Sequence, residues 1–123
     1  MKKLRVLLVE DDAISLKIYS KLLNSWGYEV HYANDGFLAL QMMEEKHYDL
    51  LLTDNQLPFL SGIELAKRVE STYHNTKVIM VTGDDISQDT ANALTVLQKP
   101  VMPSYLKHQL ELKLDEVQYL KTA

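Results

Sequence analysis

The chain has 123 residues, 46% hydrophobic and 24% charged, the balance of one globular domain with no room for a second. A chain of this size buries roughly two thirds of its unfolded surface, enough for a core without staples. With no cysteine, disulfide frameworks and Cys-ligated zinc are excluded and a reducing, cytoplasmic compartment is expected; a net charge of -4 works against nucleic acid and anionic membrane and favours a cationic ligand.

Met1-Lys2-Lys3 runs straight into strand-like residues, and no apolar run nears the roughly 18 residues of a membrane span, so neither export nor insertion is expected. Leu4 to Val9 is almost continuously apolar, the signature of a strand buried on both faces in a parallel sheet. After Glu10-Asp11-Asp12, the residues Ile14, Ile18, Leu22 and Trp26 recur every fourth position, a helical stripe that Gly27 can end. Tyr28, Val30 and Tyr32 alternate with Glu29 and His31, which predicts a half-exposed edge strand, and Phe37 to Lys46 predicts the next helix. Asp49 to Asp54 is a second apolar run. The turn Leu57-Pro58 follows, then a helix opened by the capping box Ser61-Gly62-Ile63-Glu64 with a face of Ile63, Ala66 and Val69. Val78 to Thr82 predicts a third buried strand, Ile86 to Leu94 a short helix and Thr95 to Gln98 a last strand before Lys99-Pro100. Pro103 then starts a helix with Leu106, Leu110, Leu114 and Val117 on one face.

Five strands alternating with helices predict a doubly wound α/β sheet with helices on both faces, whose ligand sits at the carboxyl ends of the strands. The residues at those ends are polar: Glu10, Asp11 and Asp12 after the first strand, Asp54 at the third, Thr82 at the fourth and Lys99 at the fifth. Carboxylates converging there repel by about several kcal/mol at an effective dielectric near 20, so a cation must compensate. Oxygen donors without Cys or His select a hard ion, and an open site with few ligands favours Mg²⁺ with retained waters over caged Ca²⁺. Mg²⁺, the Lys99 ammonium and the Thr82 hydroxyl together suit the oxygens of a phosphoryl group, which makes Asp54 the candidate nucleophile; a carboxylate, already ionised at neutral pH, needs no general base. His31, His47, His74 and His108 share no spacing, so surface positions are expected for them and no chemistry is assigned.

These residues resemble the receiver domain of bacterial two-component response regulators, of the chemotaxis-receiver type, over essentially the whole chain. The family's acidic pair is matched by Glu10 and Asp11 in VLLVEDD and its phosphoacceptor by Asp54 in TDNQLP, with Gly62 eight residues on. Thr82 in VTGD matches its hydroxyl residue, and Lys99-Pro100 its lysine before a proline, where a cis bond is common. The resemblance implies a single receiver domain over residues 1–123 with a flavodoxin-like strand order 2-1-3-4-5. It implies that Asp11, Asp54 and the backbone carbonyl of Gln56 ligate Mg²⁺, that Glu10 acts through a metal-bound water, and that Thr82 and Lys99 bind the phosphoryl oxygens. It further implies a phosphorylation-dependent switch rather than an enzyme. A histidine kinase or histidine phosphotransfer protein is then the donor, and the output is contact with another protein or lies in a separate chain segment; the net charge of -4 speaks against direct nucleic-acid binding.

Two features depart from the family pattern. Thr82 and Lys99 lie closer together than usual, so a short or irregular fourth helix is expected. Val96 also stands where many receivers carry an aromatic that swings inward, which questions the usual output surface. Asp84 and Gln56 occupy positions that tune phosphoryl lifetime in the family. Each key residue has a plainer use: Asp11 and Asp12 as helix caps, Asp54 as an Asx-turn residue ahead of Pro58, Lys99 as a solvated charge; it is their combination at four strand ends that favours the site. The last helix's stripe reads as core packing; Leu112 and Tyr119 lie off it and, if exposed, could support a homodimer or continue the helix towards a further domain in a longer chain. Gly27, Gly36, Gly62 and Gly83 match no nucleotide-binding spacing. The competing functional readings are a constitutive interaction module on a receiver fold uncoupled from phosphorylation, and a metal-dependent phosphatase. The phosphatase usually wants a second acid two residues after the first, where Gln56 stands.

Overall fold

The computed structural model describes residues 3–122, with the side chains of residues 3–115. Strands and helices alternate throughout: β1 (Arg5–Val9), α1 (Ala13–Ser25), β2 (Glu29–Ala33), α2 (Gly36–Glu45), β3 (Leu50–Thr53), α3 (Gly62–Thr72), β4 (Lys77–Thr82), α4 (Gln88–Ala93), β5 (Thr95–Gln98) and α5 (Pro103–Thr122). The strands form one sheet in the order β2-β1-β3-β4-β5, and all four pairings are parallel. Val9 stands opposite both Ala33 and Thr53, and Thr82 opposite Gln98, so the carboxyl ends of the strands line up along one edge.

The continuous apolar runs follow from a sheet covered on both faces, because successive strand side chains point to opposite sides. Leu7, Val9 and Leu51 face one layer, built with Ala39 and Met43 of α2 and Leu65, Ala66 and Val69 of α3. Val6, Leu8, Leu50 and Leu52 face the other, built with Leu23 of α1 and Leu106, Leu110 and Leu114 of α5. Val117 and Tyr119 lie outside the described side chains. Leu112 is exposed. Among the described residues no helix is long and apolar enough to cross a membrane.

Short polar side chains start the helices. Asp12, Asp35, Ser61 and Ser87 each accept a backbone N–H three residues on, at the N-termini of α1, α2, α3 and α4. Gly27, at φ +94°, follows the C-cap of α1 in the left-handed conformation that ends many helices.

Three expectations need correction. The every-fourth stripe of α1 is not its core face: Ile14 and Ile18 are 71% and 54% exposed, while Leu16, Tyr19 and Leu23 pack on the sheet. In the α3 face, Ile63 is only partly buried and Leu65 takes the deeper place. His31 is no free surface histidine; its Nδ1 lies 2.7 Å from the Tyr48 hydroxyl and its Nε2 3.0 Å from Glu29. The short fourth helix is as expected, six residues with none buried. Val96 is half-buried against the α2/α3 layer.

Candidate functional site

The site is assembled where the strands end. β1 leaves the sheet through Glu10, whose N–H still donates to the Ala33 carbonyl at 3.1 Å, so its carboxylate is carried inward and is 3% exposed. Its Oε1 accepts the Asp12 N–H at 3.1 Å. Asp12 in turn caps α1, taking the Ser15 N–H at 2.9 Å and the Ser15 hydroxyl at 2.7 Å. The capping reading thus holds for Asp12, whereas Asp11 is exposed and acts on Glu10 through its charge.

Asp54 follows β3 directly. Its N–H donates to the Val9 carbonyl at 3.1 Å, tying it to the end of β1, and it is 8% exposed. Oδ1 accepts the backbone N–H of Asn55 at 2.6 Å and, more weakly, that of Gln56 at 3.4 Å; Oδ2 accepts Lys99 Nζ at 3.1 Å. The loop then folds back so tightly that Gly62 N–H donates to the Asn55 carbonyl at 2.9 Å. A Cβ at Gly62 would overlap the Asp54 carbonyl oxygen and lie 2.7 Å from the Asn55 Cα. That is the physical reason for glycine eight residues after Asp54. Phe59, in the same loop, is 85% exposed at φ 69°, a strained conformation for a bulky residue.

β5 delivers Lys99, whose N–H donates to the Thr82 carbonyl at 2.9 Å, and the Lys99-Pro100 bond is cis. Lys99 Nζ also lies 3.9 Å from Glu10 Oε2. Burial alone would lower the pKa of this ammonium, but the bond to Asp54 and the charges of Asp54 and Glu10 outweigh it and hold it above the ordinary lysine value. Burial does the opposite to Glu10: it raises that carboxyl, the Asp12 N–H opposes the rise, and the charge of Asp54 adds to it. Thr82 is fully buried, and its Oγ1 accepts the Asp84 N–H at 3.1 Å, which leaves the hydroxyl proton to donate.

The structure therefore joins Glu10, Asp54 and Lys99 through ion pairs, with Asp11 coupled to Glu10 by charge and Thr82 tied to Lys99 through the backbone. Glu10 and Asp54 face one ammonium and Asp11 adds a third negative charge that acts on Glu10, a balance that suits a cation. Among the described residues no three His, Cys, Asp or Glu side chains are grouped to hold a metal by themselves. A hard ion that keeps most of its waters and takes a backbone oxygen fits this sparse donor set better than a caged one. Sequence reasoning missed Asn55, whose side chain accepts the Ile63 N–H at 3.1 Å and donates to Asp84 at 2.8 Å. It also missed that Gln56 reaches the same carboxylate at 2.7 Å. An amide beside an acid carries no pattern; only the loop's path brings these groups together.

The response regulator receiver domain family model matches residues 6–111. The chain is 35% identical to the yeast transcription factor SKN7 over 90% of its own length but 20% of that protein's, and 30% identical to the Escherichia coli sensor histidine kinase RcsC over 91% and 12%. It thus spans less than a quarter of the length of these relatives. A CheY-like receiver domain from Methanospirillum hungatei superposes with a TM-score of 0.88 at 32% identity, covering 96% of this chain and 98% of that one. The receiver domain of sensor histidine kinase PA1611 from Pseudomonas aeruginosa, described with magnesium in its active-site cleft, gives 0.81 at 26% identity over 93% and 99%. Strand order, strand-end chemistry and a match over most of the sequence agree: the chain belongs to the response regulator receiver domain family, a phosphoacceptor fold of phosphorylation-based signalling rather than an enzyme in the main sense.

Proposed function

We propose that Asp54 accepts a phosphoryl group from the phosphohistidine of a histidine kinase or histidine phosphotransfer protein. The observation that carries this reading is the contact of Asp54 Oδ2 with Lys99 Nζ at 3.1 Å, in a carboxylate held at its other oxygen by a backbone N–H. An Asp54 oxygen attacks phosphorus, the O–P bond forms, the donor's P–N bond breaks, and the imidazole nitrogen keeps the electron pair. Lys99 neutralises charge gathering on the phosphoryl oxygens and Thr82 donates its hydroxyl proton to one of them. Asp11, Asp54 and the Gln56 carbonyl are the groups that would hold Mg²⁺, with Glu10 acting through water. The ion would supply further positive charge to the same oxygens. Loss of the phosphoryl group to water is slow, a turnover of the switch rather than a catalysed reaction.

Exposed Ile14 and Ile18 stand one turn apart on α1, directly after the acidic residues. They offer the donor protein an apolar landing beside the cleft. The residues of this chain act as one cytoplasmic receiver domain, and its output is contact with another protein.

Intact mass after incubation with acetyl phosphate and Mg²⁺ tests the reading, because a small donor bypasses the kinase. One phosphoryl adduct is expected, lost with EDTA and in Asp54→Ala. If no adduct forms, even with trapping at low temperature, the constitutive interaction module replaces the switch. Turnover of a phosphomonoester through Asp54 would instead favour the phosphatase.

A further inference from the structure

We propose that Asp84 is a positioning residue, a latch that joins the phosphoacceptor loop to the β4–α4 loop and is opened by the charge arriving on Asp54. The proposal rests on the phosphoacceptor reading of Asp54. Four hydrogen bonds meet at this one residue. Its N–H donates to Thr82 Oγ1 at 3.1 Å and its carbonyl accepts Gln98 Nε2 at 3.1 Å. Its carboxylate accepts Asn55 Nδ2 at 2.8 Å on one oxygen and Gln56 Nε2 at 2.7 Å on the other. Asp84 thereby binds the ends of β3, β4 and β5 together.

Two features make this junction responsive to phosphorylation. First, the carboxylate is held by neutral amides, and among the described residues no cation pairs with it. Second, Asn55 and Gln56, which hold Asp84 by their side chains, hold Asp54 Oδ1 by their backbone N–H groups. A phosphoryl group on Asp54 replaces the single carboxylate charge by about -1.5 to -2 charges, carried further out on three strong acceptor oxygens. It repels the Asp84 carboxylate, competes for the amide donors and draws the Thr82 hydroxyl away from its present arrangement.

Little else fixes the loop beyond Thr82. No residue from 83 to 93 is buried, and Leu94 is the first to return to the core. A Cβ at Gly83 would meet nothing within 4 Å, so the backbone there is uncrowded. Hydrogen bonds to Asp84 supply the positional constraint that apolar packing supplies elsewhere. Opening them shifts a local two-state equilibrium and presents the α4 segment differently to a partner.

The test uses the full chain, ¹⁵N-labelled, with adduct formation by acetyl phosphate and Mg²⁺ followed by intact mass. The Asn55 and Gln56 side-chain amide signals should shift on adduct formation, and backbone exchange across residues 84–93 should quicken by about tenfold or more as local opening becomes easier. Mg²⁺ alone should produce neither change. In Asp84→Asn, which keeps the size and both backbone bonds, that segment should exchange fast before any adduct forms and respond little afterwards. Asp84→Glu, which keeps the charge, should restore part of the response. An adduct that leaves the amide signals and exchange unmoved overturns the latch, as does an Asp84→Asn variant that responds as fully as the parent. Absence of any adduct overturns the phosphoacceptor reading and the trigger of the latch with it.

Discussion

Glu10 carries an electrostatic penalty that the fold tolerates for the sake of the cleft. Burial raises its pKa, so the folded chain holds the proton more tightly than the unfolded chain does. Its ionisation therefore opposes folding at neutral pH, and that opposition disappears as pH falls through the raised value and below the ordinary carboxylate value. Glu10→Gln should raise stability at pH 7, an advantage that shrinks on acidification; urea midpoints across the pH series check this. Lys99 has the opposite sign: its raised pKa makes a stabilising contribution that is complete below the ordinary lysine value and fades as pH climbs through the raised one. Gly62 is decided by space rather than charge. Gly62→Ala must push the Asp54 backbone, and a loss of about 3 kcal/mol is expected by chemical denaturation, at the upper end for overpacking. The sequence marked Glu10, Asp54 and Lys99 because acids and a lysine have no packing reason to end apolar strands. It could not mark Asn55, whose value lies entirely in which carboxylate its loop brings near.

Among the elements, α1 shows how a helix is legible while its inward face is not. Both the 14-18-22-26 stripe and the observed 16-19-23-26 stripe are apolar at helical spacing, so periodicity alone does not choose between them. The sheet chooses: capping by Asp12 fixes where the helix starts, and the path from β1 turns Leu16, Tyr19 and Leu23 onto Val6 and Leu8. Leu23→Ala should therefore cost about 2–5 kcal/mol, whereas Ile14→Ser should stay within about 0.5 kcal/mol, as thermal or urea unfolding of the two variants would show. α4 was legible as short because few residues separate β4 from β5. Its lack of any buried residue was not, and it leaves the β4–α4 loop dependent on Asp84.

At the scale of the molecule, the strand order places the cleft. The chain passes from β1 outward to β2, then returns across β1 to β3, so the helices that follow β1 and β3 lie on opposite faces and a crevice opens at their junction. Glu10, Asp11 and Asp54 enter it from those two strands and Lys99 from the far edge. An excess of acid over base in one crevice stabilises a bound cation, and a ligand that binds only the folded state raises the unfolding temperature by mass action. Millimolar Mg²⁺ should raise the midpoint, EDTA should abolish the rise, and Asp11→Ala should remove most of it; differential scanning fluorimetry reads all three.

The sequence by itself determined the alternation of buried strands and helices, the helix starts at Asp12 and Ser61, and the polar residues at four strand ends. These features are local: period, caps and composition act within a few residues of chain. Only the tertiary structure decided that α1 turns Leu23 rather than Ile18 inward, that His31 joins Tyr48 and Glu29, and that Asp84 gathers three amides from two separate strand ends. Those outcomes depend on which surfaces the sheet sets opposite one another, and contacts between residues tens of positions apart leave no periodic trace in the chain.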